Sequence, residues 1–465
     1  MRRRDFLTAG LVGLRSLRAA EADSRQATGV KVGEVTDTSA TAWMRVTEKG
    51  ARRRDGILRR GRPEPFPANL RIEDLEGSCP GAAGRVRMVV SRREDLKGAM
   101  RTRWEDVGAA GDFAHQFRLP GLRPDTEYFY AAETGRGEPL QGKFRTAPRP
   151  QDLAPVSFAM TTCQKYSQLD HEDGFHIYES MLKVDPRFFV SAGDIVYYDS
   201  DDPRAVTPEL ARYHWQRMFS YPRHVRMLLN LPGYWEKDDH DTLSDDTWSE
   251  QPHGPEYKLT FQQGLGIFRE QVPMGERTYR TFRWGKTLQI WLVEGRDYRS
   301  PNPMPDGPEK SIWGKAQKAW LQKTLVESDA DWKVLITPTP IVGPDRPNKN
   351  DNHSNRAYAH EGREFREFVK AKLGDSFFTI NGDRHWQYHS VHPETGLHEF
   401  SVGPASDSHA SGTPGEDRRY HRFHLVKGGF LQVETARKAR ESMIQFRLRD
   451  VYGKVVYEFQ RSRGV

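Results

Sequence analysis

The run Phe188-Phe189-Val190-Ser191-Ala192-Gly193-Asp194-Ile195-Val196-Tyr197 constrains the fold more than any other stretch. An apolar, small-residue segment ends abruptly in Gly-Asp. A segment of that length and composition suits a buried strand. Gly193 lets the backbone turn sharply where the strand stops. Asp194 therefore falls at the carboxyl edge of a sheet, the side on which open α/β sheets place ligands. Tyr197 follows closely enough to face the same site. The pattern recurs. Val156-Ser157-Phe158-Ala159-Met160 runs into Thr161-Thr162-Cys163-Gln164, and Leu228 to Gly233 leads to Trp235-Glu236-Lys237-Asp238-Asp239-His240-Asp241. Leu288 to Val293 leads to Glu294-Gly295-Arg296-Asp297, and Phe377 to Ile380 ends in Asn381-Gly382-Asp383-Arg384-His385. Turn chemistry accounts for one such strand end, but not for a series of them carrying Cys, Asp, Tyr and His.

Between Gly29 and Pro148 the chain reads as short strands and turns, with Thr41-Ala42-Trp43-Met44-Arg45-Val46 alternating like a half-buried strand. Leu122 to Tyr130 resembles the tyrosine-bearing corner of an immunoglobulin or fibronectin type III sandwich. An all-β sandwich is expected over 27–148, with the basic piece Lys49–Arg62 as an insertion and Pro148-Arg149-Pro150 as a stiff linker. From 152 to 465 strands and helices alternate, which gives an α/β class with added antiparallel strands. Ser311 is expected to cap a helix whose apolar side is Trp313, Ala316, Trp320, Leu321 and Leu325. Ile444 to Tyr457 reads as a hairpin turned at Tyr452-Gly453.

Residues 1–22 read as a twin-arginine-type signal peptide. Arg3-Arg4-Asp5-Phe6-Leu7 precedes a short apolar stretch, cut short by Arg15, and then Ala20-Glu21-Ala22. The expected location is periplasmic or secreted, in a bacterium. Beyond that segment no run approaches the roughly 18 apolar residues of a membrane span. The net charge is +7. Five arginines against Asp5 and Glu21 lie in the first 22 residues, so the remainder is only mildly basic. That suits an anionic substrate and gives no argument for nucleic-acid recognition. Cys79 and Cys163 are too few for a disulfide framework.

Thiolate, phenolate and imidazole favour a transition metal, with ferric iron suiting a phenolate, whereas carboxylates favour Ca²⁺ or Mg²⁺. A mixed set implies two unlike metals sharing one carboxylate, and Asp194 is the central candidate. Two adjacent cations can clamp a phosphoryl group and activate water. His240, beside Asp239, is placed to protonate a leaving oxygen. Arg296 and Arg384 are candidate phosphate contacts, as is Lys237. His353 is a candidate ligand or substrate contact. Blander readings stand beside these: Cys163 as a small buried hydrophobe, Tyr197 as packing, and Asp238–Asp241 or Gly382–His385 as solvated turns.

As a set, Ser157–Gln164, Ala192–Tyr197, Asp238–Asp241 and Asn381–His385, with Gln317–Leu321 and Ser328–Lys333, resemble the PhoD-like alkaline phosphatases. These are a branch of the calcineurin-like metallophosphoesterases. The resemblance implies a four-layer α/β/β/α sandwich behind the β-sandwich. It also implies an exported metal-dependent phosphoesterase acting on a phosphate-ester small molecule or a phosphate-containing polymer. By the same resemblance Cys163, Asp194, Tyr197 and His385 hold Fe³⁺, and Asp194, Asp239 and Asp383 hold Ca²⁺, other divalent metals staying open on ligand chemistry. Two departures stand out: Lys237 replaces an expected tryptophan, and Asp241 stands where Glu is common. The sandwich domain and Lys237 motivate an alternative, an inactive cell-surface binding protein on the same fold. An iron enzyme of oxidative chemistry is disfavoured, because the motifs supply no two-histidine, one-carboxylate set.

Overall fold

The computed structural model describes residues 24–465. The expected export segment at 1–22 lies outside the described residues.

Strand alternation assigns the layers. In the strand Phe188–Ala192, Phe188, Val190 and Ala192 enter one core while Phe189 enters another, as the two-residue period requires. The first core fills the space between two sheets, joining Phe158 and Val190 to Ile290, Ile336 and Phe400. The second lies beneath the helices His176–Lys183, Pro208–Phe219, Pro222–Asn230 and Phe261–Gln271. A third packs the helices Gly314–Glu327 and Ala359–Lys372 onto Trp291, Leu335 and Phe377 of the other sheet. The result is helix, sheet, sheet, helix, the four-layer arrangement expected.

One sheet has nine strands and the other seven. In the first, Val156–Thr161, Phe188–Ala192 and Gly233–Glu236 run parallel side by side. In the second, Leu288–Leu292, Trp332–Thr337 and Phe377–Asn381 do the same. Parallel strands bring their carboxyl ends to one edge, so ligand-bearing loops from both sheets meet there.

The N-terminal region holds a tyrosine corner, with the Tyr128 hydroxyl accepting from the Arg123 backbone N–H at 2.8 Å. Its strands divide between two sheets. Gly84–Ser91, Glu127–Glu133 and Leu140–Arg145 belong to a separate five-stranded sheet, whereas Val30–Gly33, Ser39–Arg45 and Ala114–Pro120 extend the nine-stranded one. The junction is the parallel contact Gly33↔Gly233. A Cβ on Gly33 would meet the Gly233 carbonyl oxygen at 2.6 Å, and one on Gly233 the Phe189 ring at 2.4 Å. Only glycine permits that approach. At the other edge the C-terminal hairpin Glu441–Arg449 and Val455–Gly464 pairs onward through Phe430–Lys438.

Candidate metal centre

Three of the expected ligands sit in left-handed backbone conformations: Cys163 (φ 53°), Asp194 (φ 54°) and Asp383 (φ 59°). Such conformations are uncommon outside glycine and cluster where function holds the backbone. Each follows a strand end by two residues. Gly193, between strand and Asp194, takes φ 83°, and a Cβ there would strike Asp238 at 2.6 Å. Asp241 ties the adjacent loops together. Its carboxylate accepts from Ile195 N at 3.0 Å and from Asp238 N at 2.6 Å, and burial pushes its carboxyl up to about 8.

Asp194 is at the centre. Its Oδ2 accepts from the Tyr197 hydroxyl at 3.1 Å and from Cys163 Sγ at 3.4 Å. Its Oδ1 is buried without a hydrogen-bond partner. Among the described residues, four groups bring potential ligand atoms within 4.8 Å of one another, and Asp194 belongs to three. It joins Cys163 and His385 in one, Asp239 and His240 in another, and Asp238 and Asp383 in the third. The fourth comprises Asp239, Asp246 and Asp351. Burial raises the Cys163 thiol, the Tyr197 phenol and the Asp194 carboxyl well above their usual ranges, and burial likewise holds His385 well below its own.

The other side of the cleft is threaded with cations. The buried Arg296 guanidinium reaches Asp238 at 2.6 Å, Asp351 at 3.4 Å and Asp239 at 3.7 Å. Arg384 reaches Asp345 at 2.6 Å and also contacts Asp383. Burial works against ionisation of Asp239 and Asp351. Arg296, His240 and Lys349 nevertheless hold Asp239 below the usual carboxylate range, and Lys349, Arg384 and Arg296 hold Asp351 well below it. Asp238 is raised, burial outweighing Arg296.

His240 Nδ1 lies 2.7 Å from Asp199, and its ring sits 4.3 Å from that of Tyr197. Burial alone would lower it, but Asp199, Asp239 and Asp194 raise it well above the ordinary histidine range. The structure thus brings Cys163, Asp194, Tyr197, Asp239, His240, Asp383 and His385 together, with Arg296 and Arg384 behind them. Lys237 and His353 lie elsewhere. The Lys237 ammonium is fully buried between Glu294 at 2.6 Å and Asp297 at 2.5 Å. His353 Nε2 is 2.9 Å from Glu361 and its ring packs on Trp313, in none of the ligand groups.

Sequence reasoning missed Asp199, Asp246, Asp351 and His409. The His409 ring lies 4.0 Å from that of His385 and 5.3 Å from that of Tyr197, with Nδ1 3.2 Å from the Cys163 carbonyl oxygen. None of the four follows a strand end directly, so the signal that found the others is absent.

The family model for PhoD-like phosphatase matches residues 158–461, and that for PhoD-like phosphatase, N-terminal domain, matches 13–148. Alkaline phosphatase D of Bacillus subtilis (strain 168) is 23% identical over 427 residues, covering 80% of this chain and 70% of that protein. A solved structure of PhoD superposes with a TM-score of 0.73 at 17% identity, over 95% of this chain and 91% of that one. The purple acid phosphatase PPD1 from yellow lupin (Lupinus luteus) seeds gives 0.62 at 12% identity, over 94% and 74%. The model match spans well over half the sequence, and the strand-end ligand loops lie within it: the chain belongs to the PhoD-like phosphatase family of phosphoester hydrolases.

Proposed function

We propose that this chain hydrolyses phosphate esters at two unlike metal ions that share Asp194. The observation that carries this reading is the Asp194 carboxylate. One oxygen gathers the Cys163 and Tyr197 ligand atoms, and the other is buried without a partner. An unpartnered buried carboxylate oxygen is costly, and a cation held by Asp194 would relieve it. Cys163, Asp194, Tyr197 and His385 suit iron; Asp194, Asp239 and Asp383 suit calcium. When bound, the ions supply an activated water and neutralise charge on the phosphoryl oxygens. Asp199 fixes the His240 imidazole through Nδ1 and leaves Nε2 to donate a proton to the leaving oxygen. Arg296 and Arg384, each held by two or more carboxylates, orient the ligands on the calcium side. The Arg3-Arg4 segment supports export to the periplasm or the medium by the twin-arginine route.

The test is elemental analysis of protein purified from its native compartment, with hydrolysis of p-nitrophenyl phosphate and bis-p-nitrophenyl phosphate before and after chelation. Iron and calcium are expected in the protein, with activity lost to the chelator and restored by both metals. Full activity in excess chelator would overturn the reading.

A further inference from the structure

The basic insertion of the N-terminal region does not trail into solvent. Arg59 pairs with Asp202 at 2.8 Å, and the Glu64 backbone N–H donates to the same carboxylate at 3.1 Å. Arg53 pairs with Asp74 and Arg54 with Asp173. The Arg59, Glu64 and Arg54 contacts hold the insertion against the catalytic region, Arg53–Asp74 lying within the N-terminal region itself, and Arg60 and Arg62 line a cleft of about 630 Å³. Lys165, Ser167, Gln168 and Ser200 of the catalytic region line the same cleft. Among the described residues Arg60, Arg62 and Lys165 have no carboxylate within ion-pair distance, in contrast to Arg53, Arg54 and Arg59. Arg60 lies over the Tyr166 ring, and Lys165 Nζ is 3.1 Å from Ser200 Oγ. The nearby carboxylate of Asp201 already accepts from the backbone N–H groups of Tyr166 and Ser167.

This cleft adjoins the metal centre. Lys165 follows Cys163 by two residues, and its ammonium lies 5.2 Å from the centroid of the Tyr197 ring, whose hydroxyl points at Asp194. The Gln168 carbonyl on the cleft wall accepts from Ser406 and Ser408, the turn that carries His409. Two guanidinium groups and an ammonium lining one cleft without a carboxylate in ion-pair range form a local positive field, and guanidinium forks match phosphate and carboxylate oxygens.

We propose that Arg60, Arg62 and Lys165 form a subsite for a second anionic group of the ester, so that the N-terminal insertion selects substrates bearing a further phosphate or carboxylate beyond the one hydrolysed. This inference rests on the phosphoesterase reading of the metal centre. The probes are thymidine 5′-(p-nitrophenyl phosphate) with and without a 3′-phosphate, which share one leaving group and differ by one anion. Wild type is expected to favour the 3′-phosphorylated ester by about tenfold in kcat/KM, mainly through KM, and the preference should fade as salt rises. In R60A/R62A the ratio should fall towards unity. A charge-matched control, R92A/R118A, should keep it. Calorimetry with thymidine 3′,5′-bisphosphate against thymidine 5′-monophosphate gives a readout independent of turnover. R62A, which alters an exposed side chain, carries the test should the double variant not fold. Absence of hydrolysis of either ester by wild type strikes the phosphoesterase reading, while calorimetry still decides the subsite. An unchanged ratio or an unchanged affinity difference in the variant would overturn the subsite.

Discussion

The two sides of the ligand cleft solve the problem of burying many acidic groups in opposite ways. On one side the ligand atoms meet one another: Cys163 Sγ and the Tyr197 hydroxyl converge on Asp194 Oδ2, and burial raises all three above their usual ranges. On the other side carboxylates meet protein cations: Arg296 spans Asp238, Asp239 and Asp351, and Arg384 spans Asp345 and Asp383. The first side is kept in place without metal by protons. The second is kept in place by guanidinium groups, which hold Asp239 and Asp351 below the usual carboxylate range although burial raises Asp238. Metal uptake therefore displaces protons on the first side, and on the second it adds charge to a frame that already holds its shape.

The largest effect expected from breaking this arrangement is at the residue common to both sides. Asp194→Asn should lower turnover by about three orders of magnitude or more and deplete both metals in elemental analysis. Full retention of either metal would show that the two sides do not share the carboxylate. Next comes Arg296→Met, which leaves Asp238, Asp239 and Asp351 without their common cation. The metal-free protein should lose about 3–5 kcal/mol of stability, and a saturating divalent cation should recover part of it. Equal destabilisation with and without calcium in denaturant titrations would deny the arginine its role as a placeholder. Tyr197→Phe acts on the other side alone. It keeps the ring, removes the hydroxyl, and should abolish a phenolate-to-iron band in the visible spectrum, with activity falling about 10- to 100-fold. Iron affinity in wild type should rise with pH, because thiol, phenol and carboxyl must each lose a proton to bind; the rise should be shallower in this variant. An unaltered spectrum in iron-loaded Tyr197→Phe protein would remove Tyr197 from the ligand set.

What was legible in the sequence follows the same division. Cys163, Asp194, Asp239 and Asp383 stand out in the sequence because each follows a strand within a few residues, a local signal. Asp351, Asp246 and Asp199 lie in loops whose position depends on the elements they pack against, so nothing in their own neighbourhood marks them. Lys237 reads locally as a cation aimed at substrate. Its burial depends on Glu294 and Asp297, brought in by a strand of the other sheet. The helix after Ser311 shows how a polar contact overrides periodicity. Ser311 accepts from Gly314 N at 2.7 Å in the turn before the helix, but the cap position is Trp313, without a side-chain cap bond; Ala316 is exposed and Gln317 is buried, because the Gln317 amide bonds the Glu294 backbone on both sides. In the N-terminal region the alternation predicted strands correctly but could not name their partners, and so did not foresee Val30–Gly33 lying alongside Gly233–Glu236.

The smallest expected effect makes the sharpest control, because the two cysteines share burial and a free thiol but differ in neighbours and backbone conformation. Both are free and buried, and burial raises both thiols. Cys79 Sγ donates to the Gly77 carbonyl oxygen at 3.5 Å, and the Cys79 carbonyl accepts from Arg45, whose guanidinium is also paired with Asp112. Cys163 Sγ instead faces the Asp194 carboxylate from a left-handed backbone position. Cys79→Ala should cost about 1 kcal/mol, the value of a methylene-sized loss from a core, with metal content, colour and turnover unchanged. Cys163→Ala should remove a thiolate band, weaken iron binding and lower activity, while the metal-free protein loses no more stability than Cys79→Ala does. If burial were all that mattered at Cys163, the two variants would behave alike: equal small losses on thermal unfolding and identical visible spectra. Parallel spectra and melting curves for the two alanine variants separate a sulfur that packs from one that binds metal.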